Sequence, residues 1–221
     1  MKFYRFTDSK KRLRIGKIIC LARTYAEHAQ EMHASVSENP VMFLKPDTTV
    51  IFSHDTVRFP RMSQCLHHEV ELGIVIGKKG KHISEVDAMD HVLGYCIGLD
   101  ITARDLQATA KKNGWPWGIP KGFDTFAPLS DVVMKEELPN PRSLALELKV
   151  NGVVKQYATP GEMIYSLEHI ISFLSDVMTL EPGDLILTGT PAGVGEIKEG
   201  DVLEARLGTV CSLTVDVKKE T

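Results

Sequence analysis

Apolar positions along this chain fall mostly in short unbroken runs, with few helical stripes. Residues 17–22 (KIICLA), 40–46 (PVMFLKP), 70–80 (VELGIVIGKKG) and 92–102 (VLGYCIGLDIT) read as strands, the third apolar enough to be covered on both faces. Residues 144–157 alternate about Asn151-Gly152, which predicts a hairpin. Shorter strands follow in LILTGTP, VLEARL and TVCSLTVDV, separated by Gly-Asp turns at 183–184 and 200–201. Three segments carry helical patterns. One spans 24–34, with Tyr25, Ala29 and Met32 on a stripe. Another spans 102–114, capped by Thr102, with Asp105 in its first turn and Gly114 at its end. The third spans 159–180, where Thr159 caps, Pro160 comes first and Glu162 closes a capping box. Met163, Leu167, Ile170, Leu174 and Val177 form its buried stripe. Residues 114–128, rich in Trp, Pro and Gly, read as a long functional loop. Strands outnumber helices and do not alternate with them. The class is therefore β-rich α+β, not a doubly wound parallel sheet, and no repeat or linker divides residues 1–221.

Composition changes this picture little. The 221 residues are 43% hydrophobic and 25% charged, the balance of an ordinary globular protein with a sizeable core. A net charge of -3 with no long block of one sign offers nothing for nucleic acid or a membrane surface. No run approaches the ~20 apolar residues of a membrane span. KRLRIGKIICLA is too short in its apolar part, and too interrupted by Lys17, for a secretory leader. Cys20, Cys65, Cys96 and Cys211 are scattered, as buried free thiols in a reducing compartment are, so a soluble cytoplasmic protein is expected.

Charge matters most where it interrupts apolar runs. In HHEVELGIVIG (67–77), Glu69 and Glu71 are two apart and share a strand face that leads on to Gly73 and Val75. Two like charges entering a core need a cation, and carboxylates with no thiolate nearby favour Mg2+ or Mn2+. Asp100 ends a second apolar strand, YCIGLD, and is the natural third ligand. On spacing alone, a solvated strand end with Asp100 as a helix cap fits the same residues. His28 and Glu31, three apart on the first helix, suit the deprotonation of a water, although the spacing alone is commoner in surface pairs. Arg104 and Gln107, also three apart, could reach a carboxylate and a carbonyl, and Lys121 could clamp an anion. The Gly-rich TGTPAGVG turn (188–195) offers N–H groups to a carboxylate. It lacks the lysine and spacing of a nucleotide loop. His67 and His68 read as groups that orient the carboxylates, His33 and His169 as helix-surface residues.

Together, LHHEVELGIVIGKKG, GYCIGLDITARDLQ, PKGFDTFAPLS and LEPGDLILTGTPAGVG resemble the fumarylacetoacetate hydrolase family, nearest its short single-domain branch of acylpyruvate hydrolases and oxaloacetate decarboxylases. The resemblance begins near Lys17, leaving residues 1–16 as a short extension of one catalytic domain. It implies a mixed β-roll or barrel-like fold with a few flanking helices, a homodimer, and one Mg2+ or Mn2+ per subunit held by Glu69, Glu71 and Asp100. It also implies a lid whose His28 and Glu31 activate water. Arg23, Arg104, Gln107, Lys121 and Thr190 then fall at the substrate or its developing enolate. The implied reaction is hydrolysis of an acylpyruvate or fumarylpyruvate-type 2,4-dioxo acid to pyruvate and a carboxylic acid. Oxaloacetate decarboxylation and tautomerisation or isomerisation of 2-oxo acids are alternatives for the same site. Thr24-Tyr25 stands where the family usually has Asn-Tyr, and Thr24 is expected to cap the lid helix. Trp115 and Trp117 are expected near the pocket, where they would shape chain-length preference.

Overall fold

The apolar runs become strands that pair over long stretches of sequence. The computed structural model describes residues 1–7, 10–31 and 39–220, apart from the Ala29 side chain; the expectations for Ala29, Met32 and His33 therefore lie outside it. In chain order the strands begin β1 (Ile18–Ala22), β2 (Val41–Lys45), β3 (Val50–Phe52), β4 (Thr56–Phe59), β5 (Leu66–His68), β6 (Val70–Ile76), β7 (Val92–Leu99) and β8 (Thr102–Ala103). They continue with β9 (Ala127–Leu129), β10 (Val133–Met134), β11 (Leu146–Val150), β12 (Val153–Ala158), β13 (Leu185–Leu187), β14 (Gly195–Ile197), β15 (Val202–Leu207) and β16 (Cys211–Lys219). Helices α1 (Ala26–Glu31), α2 (Arg104–Asn113), α3 (Gly118–Lys121) and α4 (Leu167–Val177) flank them, giving the expected β-rich α+β class.

An eight-stranded sheet runs β2-β1-β13-β6-β7-β9-β3, with β10 added beside β7. β13 comes from late in the chain yet lies between β1 and β6, parallel to the first and antiparallel to the second. A five-stranded sheet, β12-β11-β15-β16-β4, packs on it, β11 against β6 and β15 and β16 against β7. Leu146, Leu148, Leu203 and Val215 of this second sheet meet Leu72, Ile74, Ile76 and Ile97 in one core. The alternate positions of the larger sheet, Val75 and Cys96 among them, pack with Tyr4, Phe6 and Ile15 from the first sixteen residues. Every residue of β6 is thus buried, as its unbroken apolar run requires. The small sheet β14-β5-β8 continues the chain beyond β6 and β7. Among the described residues no helix is long and apolar enough to cross a membrane.

Local signals held where the turn chemistry was self-contained. Asn151 (φ +52°) and Gly152 (φ +77°) form the predicted hairpin turn, and Gly114 (φ +67°) ends α2. Other signals gave way to tertiary contacts. Thr102 belongs to β8 and donates its hydroxyl to the Asp100 carbonyl at 3.1 Å, so Ala103, with no capping side chain, precedes α2. The Thr159–Glu162 capping box forms, but it closes only a single 3-10 turn. Met163 then pairs with Tyr25 in an antiparallel bridge, which draws the chain out of helical form until Ser166 caps α4. Met163 is therefore buried off the helix, Val177 is exposed, and Ile171 joins the buried face. The 114–128 segment holds α3 and β9 where a structureless loop was expected.

Candidate active site

Glu69 falls between β5 and β6, and Asp100 between β7 and β8, where each strand leaves one sheet for another. The Asp100 N–H donates to the Glu69 carbonyl at 2.8 Å, which holds the two junctions side by side. Glu71 follows one step into β6. One carboxylate oxygen from each of Glu69, Glu71 and Asp100 lies within 4.8 Å of the others, and all three residues are buried.

Three buried or part-buried cations meet this cluster. Lys121 Nζ donates to Glu69 Oε2 at 2.9 Å and Asp100 Oδ2 at 2.5 Å. Lys45 Nζ lies 2.7 Å from Asp100 Oδ1 and donates to the carbonyls of Ile101, Lys121 and Phe126. Arg104 donates to Glu69 Oε1 at 2.5 Å and to Gln107 Oε1 at 2.6 Å. Burial opposes the charge on Lys121, but Asp100 and Glu69 outweigh it and raise the pKa, so this group stays an ammonium. Burial opposes the charge on Glu69 too, yet Lys121 and Arg104 hold it well below the usual carboxylate range.

Glu71 is different. Among the described residues it pairs with no cation and accepts one hydrogen bond, from the Gly189 N–H at 2.8 Å. Burial, then Asp100 and Glu69, push its pKa well up. Gly189 has φ +93°, and a Cβ there would collide with the Thr24 hydroxyl, so glycine is needed to present this N–H. Thr24 itself donates to the Thr188 carbonyl at 2.7 Å, which replaces its expected role as a cap of α1. The donor set fits Mg2+ or Mn2+. It is oxygen only, it is buried, and among the described residues Glu71 has no cationic partner. The neighbouring Cys20 thiol is kept protonated, chiefly by burial.

His28 Nδ1 lies 3.1 Å from Glu31 Oε2, and the Gly193 N–H holds that carboxylate at 3.2 Å. The TGTPAGVG turn thus directs N–H groups to two of the chain's own carboxylates, Glu71 and Glu31. Eight of the ten predicted site residues line one cavity of about 40 Å³: Arg23, His28, Glu69, Glu71, Arg104, Gln107, Lys121 and Thr190. The other two, Asp100 and Glu31, stand behind Lys121 and His28 through the contacts above.

Thr190 donates to the Val70 carbonyl at 2.9 Å and accepts from Gln156 Nε2 at 2.7 Å. His68 Nδ1 meets Gln156 Oε1 at 2.9 Å, so it braces Thr190 through Gln156 and does not orient a carboxylate. Among the described residues the ring Nδ1 of His67 is buried without a partner, and burial followed by Arg104 lowers its pKa to about 4. The role expected of His68 is thereby corrected. Trp117 lines the cavity with Phe43, their rings 5.7 Å apart, whereas Trp115 is exposed over a separate apolar hollow beside Met62 and Ile119. Sequence reasoning overlooked Lys45, although it ends an apolar strand just as Asp100 does. It also overlooked Gln156, because β12 turns Gln156 inward and leaves Val153, Val154 and Tyr157 exposed.

Comparison with known proteins bears on this geometry. The family described as fumarylacetoacetate (FAA) hydrolase C-terminal matches residues 17–218. Over 202 residues, 91% of each chain, the protein is 48% identical to the oxaloacetate tautomerase FAHD1, mitochondrial, of Mus musculus, and 46% identical to that of Homo sapiens. It resembles the crystal structure of fumarylpyruvate hydrolase from Pseudomonas aeruginosa in complex with Mn2+ and pyruvate, with a TM-score of 0.94 at 34% identity over 99% of this chain and 96% of that one. For 2-hydroxyhepta-2,4-diene-1,7-dioate isomerase from Mycobacterium marinum the TM-score is 0.83 at 38% identity, over 94% and 76% of the two chains.

Proposed function

We propose a function from one premise: the chain belongs to the fumarylacetoacetate hydrolase family, a family of enzymes. The proposed activity is metal-assisted enolisation of a 2-oxo acid. The observation that carries it is Glu71, a buried carboxylate left without a cationic partner beside two that have them. Glu69, Glu71 and Asp100 would hold Mg2+ or Mn2+. Such an ion acts as a Lewis acid on the 2-oxo group and stabilises the charge of the enolate.

The protein's own groups do the rest. Arg104 occupies Gln107 Oε1, so the Gln107 amide is left with its Nε2 to donate to a carbonyl in the cavity. With the Lys121 ammonium it sets positive charge where an enolate oxygen develops. Glu31 accepts from His28 Nδ1–H, which leaves Nε2 as the basic nitrogen of a ring lining the cavity. In tautomerisation His28 takes a proton from C3. The C–H electron pair becomes the C2–C3 double bond, the C2–O π pair moves onto the oxygen, and the proton carried by His28 is returned there directly or through water.

Oxaloacetate tautomerisation is placed first, since relatives of that name are 46–48% identical to this chain. The sequence alone put hydrolysis first. Hydrolysis of fumarylpyruvate or another acylpyruvate remains the second reading, favoured by the 0.94 likeness to a fumarylpyruvate hydrolase. There the same dyad would deprotonate a water that attacks the distal carbonyl, releasing pyruvate and a carboxylic acid. A homodimer is proposed from the family resemblance, and a cytoplasmic location from the scattered free cysteines.

The test is a substrate panel with Mg2+ and Mn2+. It follows enol–keto interconversion and CO2 release for oxaloacetate, and pyruvate release for acetylpyruvate and fumarylpyruvate. Oxaloacetate interconversion above the metal-only rate, lost in His28→Ala, supports the first reading. Pyruvate release from the acylpyruvates without that interconversion moves hydrolysis to first place. Inertness toward all three substrates sinks both.

A further inference from the structure

Two cations of the cavity, Arg23 and Lys111, have no task in the chemistry above, and Lys111 is the one set against an aromatic ring. Lys111 stands one helical turn beyond Gln107 on α2 and lines the same cavity as Glu69 and Lys121. Its ammonium lies 5.5 Å from the centre of the Trp117 ring, which packs edge-on against Phe43. Arg104 and Lys121 are engaged by Glu69 and Asp100, whereas among the described residues no carboxylate pairs with Lys111. What burial it has, followed by the nearness of Arg104 and Arg23, lowers its pKa, as expected of a cation set among cations. The cavity thus carries carboxylates that await a cation and, on α2, a lysine set against an aromatic ring that no carboxylate pairs with among the described residues.

We propose that Lys111, positioned by Trp117, binds the distal carboxylate of a dicarboxylic 2-oxo acid and so sets the preference for dicarboxylic over monocarboxylic substrates. The inference rests on the reading that 2-oxo acids enter with their 2-oxo end at Glu69 and Glu71. It applies alike to tautomerisation of oxaloacetate and to hydrolysis of fumarylpyruvate, both of which carry a second carboxylate.

The experiment compares matched pairs. For wild type, Lys111→Met and Lys111→Arg, kcat/KM is measured for oxaloacetate against 2-oxobutyrate and for fumarylpyruvate against acetylpyruvate. Calorimetry compares the binding of oxaloacetate with that of pyruvate, which lacks the distal group. The dicarboxylate-to-monocarboxylate ratio is expected to fall roughly five- to tenfold in Lys111→Met, mainly through KM. That size is typical of one charged contact in a partly wet pocket. Lys111→Arg should restore most of it. An unchanged ratio in Lys111→Met, with wild type handling both members of a pair, overturns the role given to Lys111 and leaves the proposed function standing. A wild type that neither binds nor converts any of these acids overturns the proposed function and this inference with it.

Discussion

The two ends of β6 are buried in opposite ways. Toward Ile76, the side chains of Leu72, Ile74 and Ile76 lie in an aliphatic core between two sheets, where each contributes roughly 1.5–3 kcal/mol by leaving water. Toward Glu69, carboxylates leave water instead, which costs several kcal/mol per ion unless partners replace the lost hydration. Lys45, Lys121 and Arg104 replace it for Glu69 and Asp100. They do not replace it for Glu71. The apolar end is complete in the folded chain alone, while at the charged end one carboxylate of three has no cationic partner among the described residues. That shortfall is what turns a structural ion network into a candidate site.

The sharpest way to break this contrast is Lys45→Met. It removes an ion-pair partner of Asp100 and strands three backbone carbonyls, and should destabilise the fold by about 3–5 kcal/mol in urea denaturation. A loss below about 1 kcal/mol would mean the network is not the tight one described. At the other end, Ile74→Ala should cost about 2–4 kcal/mol through a cavity in the dry core, yet leave Mn2+ affinity in calorimetry unaltered. Glu71→Gln should reverse that pattern. It puts a neutral amide in place of a buried carboxyl whose surroundings already favour the neutral form, so stability without metal should change by less than about 1 kcal/mol. Wild type should gain about 2.7 kcal/mol at a Mn2+ concentration of 100 Kd, and Glu71→Gln should gain nothing; equal gains would exclude Glu71 as a ligand.

The smallest effect concerns pH. The folded pKa of His67, about 4, lies below its ordinary 6.5, so the unfolded chain binds the proton more readily. Its contribution to stability is full above pH 6.5, declines as pH falls toward 4, and is level below that. In urea titrations across this window, His67→Asn should lose stability less steeply than wild type. Parallel slopes would show that the ring titrates normally.

Legibility followed the same divide. Asn151-Gly152 and Gly114 were readable because a positive φ is decided within two or three residues. Glu69, Glu71 and Asp100 were readable because carboxylates at the ends of apolar strands conflict with their surroundings, and Lys45 ending VMFLK could have been found by the same rule. The capping box at Thr159 misled because Tyr25, far away in sequence, holds Met163 in a bridge. Trp115 and Trp117 are indistinguishable in sequence, and only the path of α3 sends one to the cavity and the other outward. Gln156 could not be found by pattern, since the inward positions of β12 are set by pairing to β11 across a bulge.

The placement of β13 carries a consequence for how the protein is made. Its three residues fill the gap between β1 and β6, so the central sheet cannot close until Leu187 has left the ribosome. Until then the nascent chain carries apolar strands with open edges, of the kind that seek partners in other chains. Assembly is therefore a late, high-contact-order event, and shortened products of synthesis should go to chaperones and proteases and not to a partly working enzyme.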